Sequence, residues 1–189
     1  MKKFDRVFKH YDGFIKLFNF NKMEEIKDVI ELQGDELVLD IGGGTGKLAD
    51  YISKDCKAVY VLDESKGMLS KVKANSKVVP ILGDGLDTGL AGNSIDVVIM
   101  SDVLHHIKNQ KGLIGEIYRI LRDGGKLIIL DLEKKHLGIR ILRIFENILF
   151  GRLYFRTSQE VKDLIKDWFT ITEFIDKKYY FIIKGEKNA

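Results

Sequence analysis

The chain of 189 residues suits one domain of ordinary size with a real core. Its 45% hydrophobic and 31% charged residues exclude a disordered chain, and a formal net charge of +3 is too mild to imply a nucleic-acid partner. The one cysteine, Cys56, excludes an intramolecular disulfide and a zinc site built of thiolates, and it reads as an ordinary thiol of a reducing compartment.

The first residues, MKKFDRVFKHYDGF, are broken by charge and lack the apolar centre of a signal peptide. No stretch approaches the roughly 18 uncharged apolar residues of a membrane span. The expectation is a cytoplasmic protein with a single domain over residues 1–189. Residues 23–33 bring Met23, Ile26, Val29, Ile30 and Leu32 near helical spacing. The apolar run from Glu36 to Ile41 predicts a buried strand, and residues 45–54 a helix opening at Thr45. AVYVLD, 58–63, is a second strand ending in an acid. Residues 65–75 predict a helix with Ser65 as its N-cap. KVVPIL, 77–82, and SIDVVIMSD, 94–102, are the third and fourth strands. An amphipathic helix over 113–121 is closed by Arg122, Asp123, Gly124 and Gly125 as a cap and turn before a fifth strand, 126–132. A last helix over 160–168 precedes two β-rich runs, 169–175 and 179–184, that read as a hairpin.

Strands that are apolar throughout and alternate with helices predict a parallel sheet covered on both faces. The fold class is therefore α/β: a Rossmann-like, doubly wound, mostly parallel seven-stranded sheet with helices on both faces and a C-terminal antiparallel hairpin. Ligands in such sheets bind at the carboxyl ends of the strands, near the switch in strand order. Asp40 with its glycines, Asp63, Asp84, and Asp102 with His105 and His106 all fall at those ends.

The glycines after Asp40 follow G-x-G-x-G, as Gly42, Gly44 and Gly46. A dinucleotide fingerprint is G-x-G-x-x-G and receives a pyrophosphate on a helix N-terminus. The acid before the loop would be poorly placed against a pyrophosphate and well placed near a cation. The pattern therefore favours a nucleoside ligand with a positive charge and no phosphate, which S-adenosylmethionine satisfies. Asp63, about 20 residues after the glycines, stands where an acid accepts from ribose hydroxyls. Asp84 could accept from an adenine amino group.

The blocks VLDIGGGTG, VLDESKGML, ILGDGLD, SIDVVIMSDVLHHI and YRILRDGGKLIILD, in this order over residues 36–132, resemble the class I S-adenosylmethionine-dependent methyltransferases. The resemblance implies roles by position. Asp40, Gly42, Gly44 and Gly46 would hold the methionine part and the ribose, Asp63 the ribose hydroxyls, Met68 would pack near the adenine, Gly85 or Leu86 would lie beside its ring, and Asp84 would bind its amino group. Ser101 and Asp102 would lie where the methyl group points. His105 or His106, with Asp102, are the candidate catalytic residues, although methyl transfer can run on proximity and desolvation without a base. No His/Cys cluster has metal-ligand spacing, so the expected cofactor is S-adenosylmethionine, released as S-adenosylhomocysteine, with no metal.

Tyr11 and Asp12 resemble a tyrosine–aspartate pair in relatives that act on quinones and lipids, where the N-terminal segment folds over the cofactor. TSQEVKDLIKDWFTITEF resembles the final helix and strand of the menaquinone/ubiquinone-biosynthesis branch, with DWF at 167–169 in place of the usual A-G-F step. Residues 1–33 would then be a helical lid, 36–132 the cofactor-binding core, 134–156 a substrate-covering insertion, and 157–189 the last helix and hairpin. The insertion sets Lys134, Lys135, Arg140, Arg143, Arg152 and Arg156 against one acid, Glu146, among many apolar residues. Such a segment suits a cover for an apolar acceptor, a peripheral contact with an anionic membrane surface, or a homodimer contact. The expected partner is a small-molecule acceptor, quinol- or lipid-like, and no nucleic acid. Two other readings stand beside this one: an NAD-dependent oxidoreductase, which the glycine spacing argues against, and a cofactor-binding regulatory protein without turnover.

Overall fold

The computed structural model describes residues 20–135 and 152–188. Helix α1, Phe20–Ile30, leads into strand β1, Leu37–Ile41, and helix α2, Lys47–Ile52. Strand β2, Ala58–Asp63, short helix α3, Lys66–Leu69, and strand β3, Val78–Leu82, follow. Strand β4, Ile95–Ser101, is joined through a 3-10 turn, Leu104–His106, to helix α4, Gln110–Ile120. Strand β5, Leu121–Leu132, helix α5, Ser158–Ile165, and strands β6, Phe169–Asp176, and β7, Tyr180–Lys187, complete the order.

The seven strands form one sheet in the order β3-β2-β1-β4-β5-β7-β6. Strands β1 to β5 pair in parallel, and β7 runs antiparallel between β5 and β6. The pleat sends alternate residues to opposite faces. On one face Leu39, Ile41, Val98, Met100, Leu127 and Ile129 pack with Leu113, Ile117 and Ile120 of α4 and Val161 and Ile165 of α5. On the other, Val38, Val59, Val61, Val97, Ile99 and Ile128 pack with Ile26, Val29 and Ile30 of α1 and with Leu48, Ala49 and Ile52 of α2. Two cores on one sheet explain why its strands are apolar on both sides. Pro80 lies on the edge strand β3, where its missing N–H costs least. No described helix is long and apolar enough to cross a membrane.

Three local expectations are corrected. The helix over 65–75 is one turn long, Lys66–Leu69, because the chain tightens afterwards into i→i+3 bonds from Lys71 to Met68 and from Val72 to Leu69. The helix placed at Thr45 begins at Lys47, since Gly46 at φ 72° is left-handed. The turn at 122–125 is instead part of β5. Its register with β4 jumps from Ile95–Leu121 to Val97–Lys126, and Gly124 at φ 72° lets the surplus residues bulge without ending the strand.

The hairpin is fastened by Phe181, which is fully buried in the α4/α5 core, whereas Phe174 on β6 is 37% exposed. Phe181→Ala should cost about 3–5 kcal/mol in urea denaturation, and Phe174→Ala under about 1 kcal/mol.

Candidate active site

Strand order reverses between β1 and β4, so the connections leaving these two strands depart in opposite directions and open a crevice at their carboxyl ends. A cavity of about 650 Å³ fills that crevice. Its wall includes Asp40 to Thr45, Lys47, Leu62 to Glu64, Met68, Gly83 and Gly85, Ser101 to Val103, His106 and Ile107, with Lys22, Met23 and Ile26 of α1 above them; Gly46, expected to hold the ligand, is not in the wall and packs towards Val72.

The loop after β1 is built for close approach. The Gly42 and Gly43 amides donate to Leu62 O at 2.7 and 3.3 Å, so the loop bends back on β2. Gly42 has φ 69°, and a Cβ there would lie 2.4 Å from Val103 Cγ2. A Cβ on Gly43 would lie 2.5 Å from Asp40 Oδ2. Gly43 is thus as necessary as the three spaced glycines. The spacing pattern assigned it no role, although it stands between them in the sequence.

Asp40 shares its face of β1 with Val38 and is only 2% exposed. Burial, and then the neighbouring Asp63, push its carboxyl up to about 7. Its Oδ2 is buried and has no hydrogen-bond partner among the described residues. Asp63 is the opposite case. Its Oδ2 accepts from Gly44 N at 3.0 Å and its Oδ1 from Ser65 N at 2.7 Å, so it ties β2 to the glycine loop. Ser65 caps α3 by accepting from Met68 N at 3.1 Å, which places the buried Met68 in the cavity wall with its Cε beside Gly44. Gly85 lines the cavity against Ile41 and Leu113. Asp84 is exposed outside the wall and accepts from Leu86 N at 2.9 Å.

At the end of β4, Ser101 and Asp102 both line the cavity. Asp102 has φ 55°, and its amide donates to Leu130 O at 2.9 Å. Its carboxylate oxygens receive Lys22 Nζ at 2.9 and 3.1 Å. Lys22 is buried and was invisible to a helical-period reading, which credits only apolar positions.

The two histidines part company. His106 lines the cavity, and burial, with the adjacent His105 ring, pushes its imidazole down to about 3. His105 turns into the core. Its Nδ1 lies 2.5 Å from Asp131 Oδ1, its amide donates to Asp131 Oδ2 at 3.1 Å, and Phe155 stacks on its ring at 4.4 Å. Burial pushes the Asp131 carboxyl up, but the charge and hydrogen bond of His105 outweigh it and hold the group below the usual carboxylate range. The sequence signal for Asp131 is its place near the end of an apolar run, as for Asp40, Asp63 and Asp102.

Tyr11 and the centre of the 134–156 insertion lie outside the described residues. Among the described residues no His, Cys, Asp or Glu cluster could hold a metal. Cys56 is buried, and burial pushes its thiol up to about 11.

The family model described as "Methyltransferase domain" matches residues 39–129, from β1 into β5. A demethylmenaquinone methyltransferase of Geobacillus sp. is 28% identical over 178 residues, covering 83% of this chain and 75% of the relative. One from Corynebacterium glutamicum is 29% identical over 132 residues, covering 68% of this chain. The chain spans only 57% of that relative's length. A methyltransferase solved in complex with a Haloferax volcanii methyltransferase activator superposes with a TM-score of 0.86 at 14% identity, covering 100% of this chain and 99% of that one. Strand order, glycine loop and the methyltransferase-domain match over residues 39–129 agree in supporting a class I S-adenosylmethionine-dependent methyltransferase.

Proposed function

We propose that the protein transfers the methyl group of S-adenosylmethionine to a small apolar acceptor of the quinol or lipid kind. The observation that carries this reading is Asp40, which lines a glycine-rimmed cavity at the strand switch and whose buried Oδ2 has no hydrogen-bond partner among the described residues. A buried carboxylate oxygen without a partner is costly, and a cation beside it removes the cost. The α-amino group of the cofactor is such a cation, so the residues present fit it. Asp63, in the wall at the end of β2, would accept from the ribose hydroxyls. Met68 and Gly85 would flank the adenine, and Asp84 would reach its amino group from the rim.

When bound, the cofactor supplies a methyl group on a sulfonium, which needs an aligned nucleophile in a dry site more than a strong base. Met23, Ile26 and Ile107 give the cavity wall apolar surface. His106 is too weak a base to serve, and His105 is committed to Asp131. Asp102, paired with Lys22, lines the wall and can accept a hydrogen bond from an acceptor hydroxyl. The demethylmenaquinone methyltransferases among the relatives support a quinol-like acceptor.

Calorimetric titration should detect S-adenosylmethionine and S-adenosylhomocysteine but not NADH, and Asp63→Ala should weaken both adenosyl ligands at least about tenfold. Binding of NADH alone would overturn the reading. Transfer of a labelled methyl group to a reduced naphthoquinone tests the acceptor class.

Asp40 adds a pH signature. Because burial holds its proton up to about pH 7, cofactor binding should release protons at about pH 6 and fewer at about pH 8.5. Titrations in buffers of different ionisation enthalpy measure this, and Asp40→Asn should abolish it. The same raised pKa stabilises the ligand-free fold fully below 3.8 and is lost as pH rises to about 7. His106, pushed down to about 3, contributes the opposite slope up to its ordinary value, so the checkable outcome is a difference: in urea denaturation the unfolding free energy of Asp40→Asn should rise with pH across that window relative to the wild type.

A further inference from the structure

Lys22 and Asp102 stand 80 residues apart in the chain and meet in the cavity wall. Lys22 comes from α1, and its side chain is 8% exposed against 26% for Asp102. The pair is held from both sides. A non-glycine residue at φ 55° is uncommon, and the bond from Asp102 N to Leu130 O keeps it there, so the backbone aims the carboxylate. The Lys22 ammonium also lies 5.1 Å from the centre of the Tyr180 ring, whose hydroxyl donates to Glu25 Oε2 at 2.8 Å.

We propose that Lys22 sets acceptor specificity: by neutralising Asp102 it makes this end of the cavity select an uncharged, hydroxyl-bearing acceptor and reject an ammonium-bearing one. The inference rests on the methyl-transfer reading of the same site. A bare carboxylate in a poorly hydrated wall draws cations strongly. Paired with Lys22, it offers lone pairs without net charge. An acceptor hydroxyl can donate to Asp102 and accept from the remaining hydrogens of the ammonium, which has three donors. An acceptor ammonium meets the Lys22 charge instead, and like charges at close range are the usual device of rejection. The other acids in the wall, Asp40, Asp50, Asp63 and Glu64, come from β1, α2 and the end of β2, on the cofactor side of the switch.

The test is calorimetric titration of the full chain, saturated with S-adenosylhomocysteine, with 1-naphthol and with protonated 1-naphthylmethylamine. The wild type should bind the naphthol at least about tenfold more tightly. Lys22→Met should reverse that order and Lys22→Arg should keep it, with the S-adenosylhomocysteine affinity of each within about threefold of wild type. Asp102→Asn is an independent arm that survives a misfolded Lys22→Met. It leaves the ammonium unpaired and should gain binding of 1-naphthoate, which the wild type rejects. An unchanged order in Lys22→Met, no gain of naphthoate in Asp102→Asn, or a wild type that prefers the amine or binds neither probe would overturn the inference. Failure of the wild type to bind S-adenosylhomocysteine would overturn the methyl-transfer reading beneath it.

Discussion

The buried carboxylate of Asp40 is the constraint around which the carboxyl edge of the sheet is arranged. The pleat places position 40 on the face of β1 that α1 and α2 cover, two residues beyond Val38. Burial there raises its proton affinity, and no described side chain relieves it. The backbone passes directly over it at Gly43, where any Cβ would strike its oxygen. A carboxylate that is buried, unrelieved and open to a cavity stores unfavourable electrostatics, and such sites cluster where proteins bind charged ligands.

The cavity brings together acids in contrasting electrostatic states. Asp40 ends β1 unpaired at one oxygen, whereas Asp102, just beyond the neighbouring β4, is neutralised by Lys22. The first state suits a cation, and the second suits a neutral polar group. Asp63 stands between them in kind, anchored to backbone amides at both oxygens. This division gives one crevice two chemically different ends.

A third arrangement fastens the wall behind them. Asp131 at the end of β5 holds His105, and the residues at 154–156 close on the same place. Tyr154 N donates to His105 O at 2.7 Å, Gln110 Nε2 donates to Leu104 O and Tyr154 O at 2.9 Å, and Arg156 bonds to Gln110. The adjacent histidines are thus divided between structure and cavity. A 3-10 turn projects neighbouring side chains in different directions, one into the core and one into the ligand space.

Much of this was legible in the residues. The apolar runs, the helical spacings and the glycine cluster locate the strands, the helices and the ligand loop to within a few residues, because each is set by neighbours in the chain. The exceptions were local too: Gly46 delayed α2, Gly124 turned an expected strand start into a bulge, and i→i+3 bonds cut α3 to a single turn. By itself, then, the sequence determined the doubly wound order, the hairpin, and a glycine loop framed by acids at strand ends. Only the tertiary structure decided which acids are satisfied. His105 takes Asp131, Lys22 takes Asp102, and Asp40 keeps an oxygen without a partner among the described residues. The reason is physical: such pairings join residues 26 and 80 positions apart, depend on how helices and turns pack at the sheet edge, and leave no period in the chain.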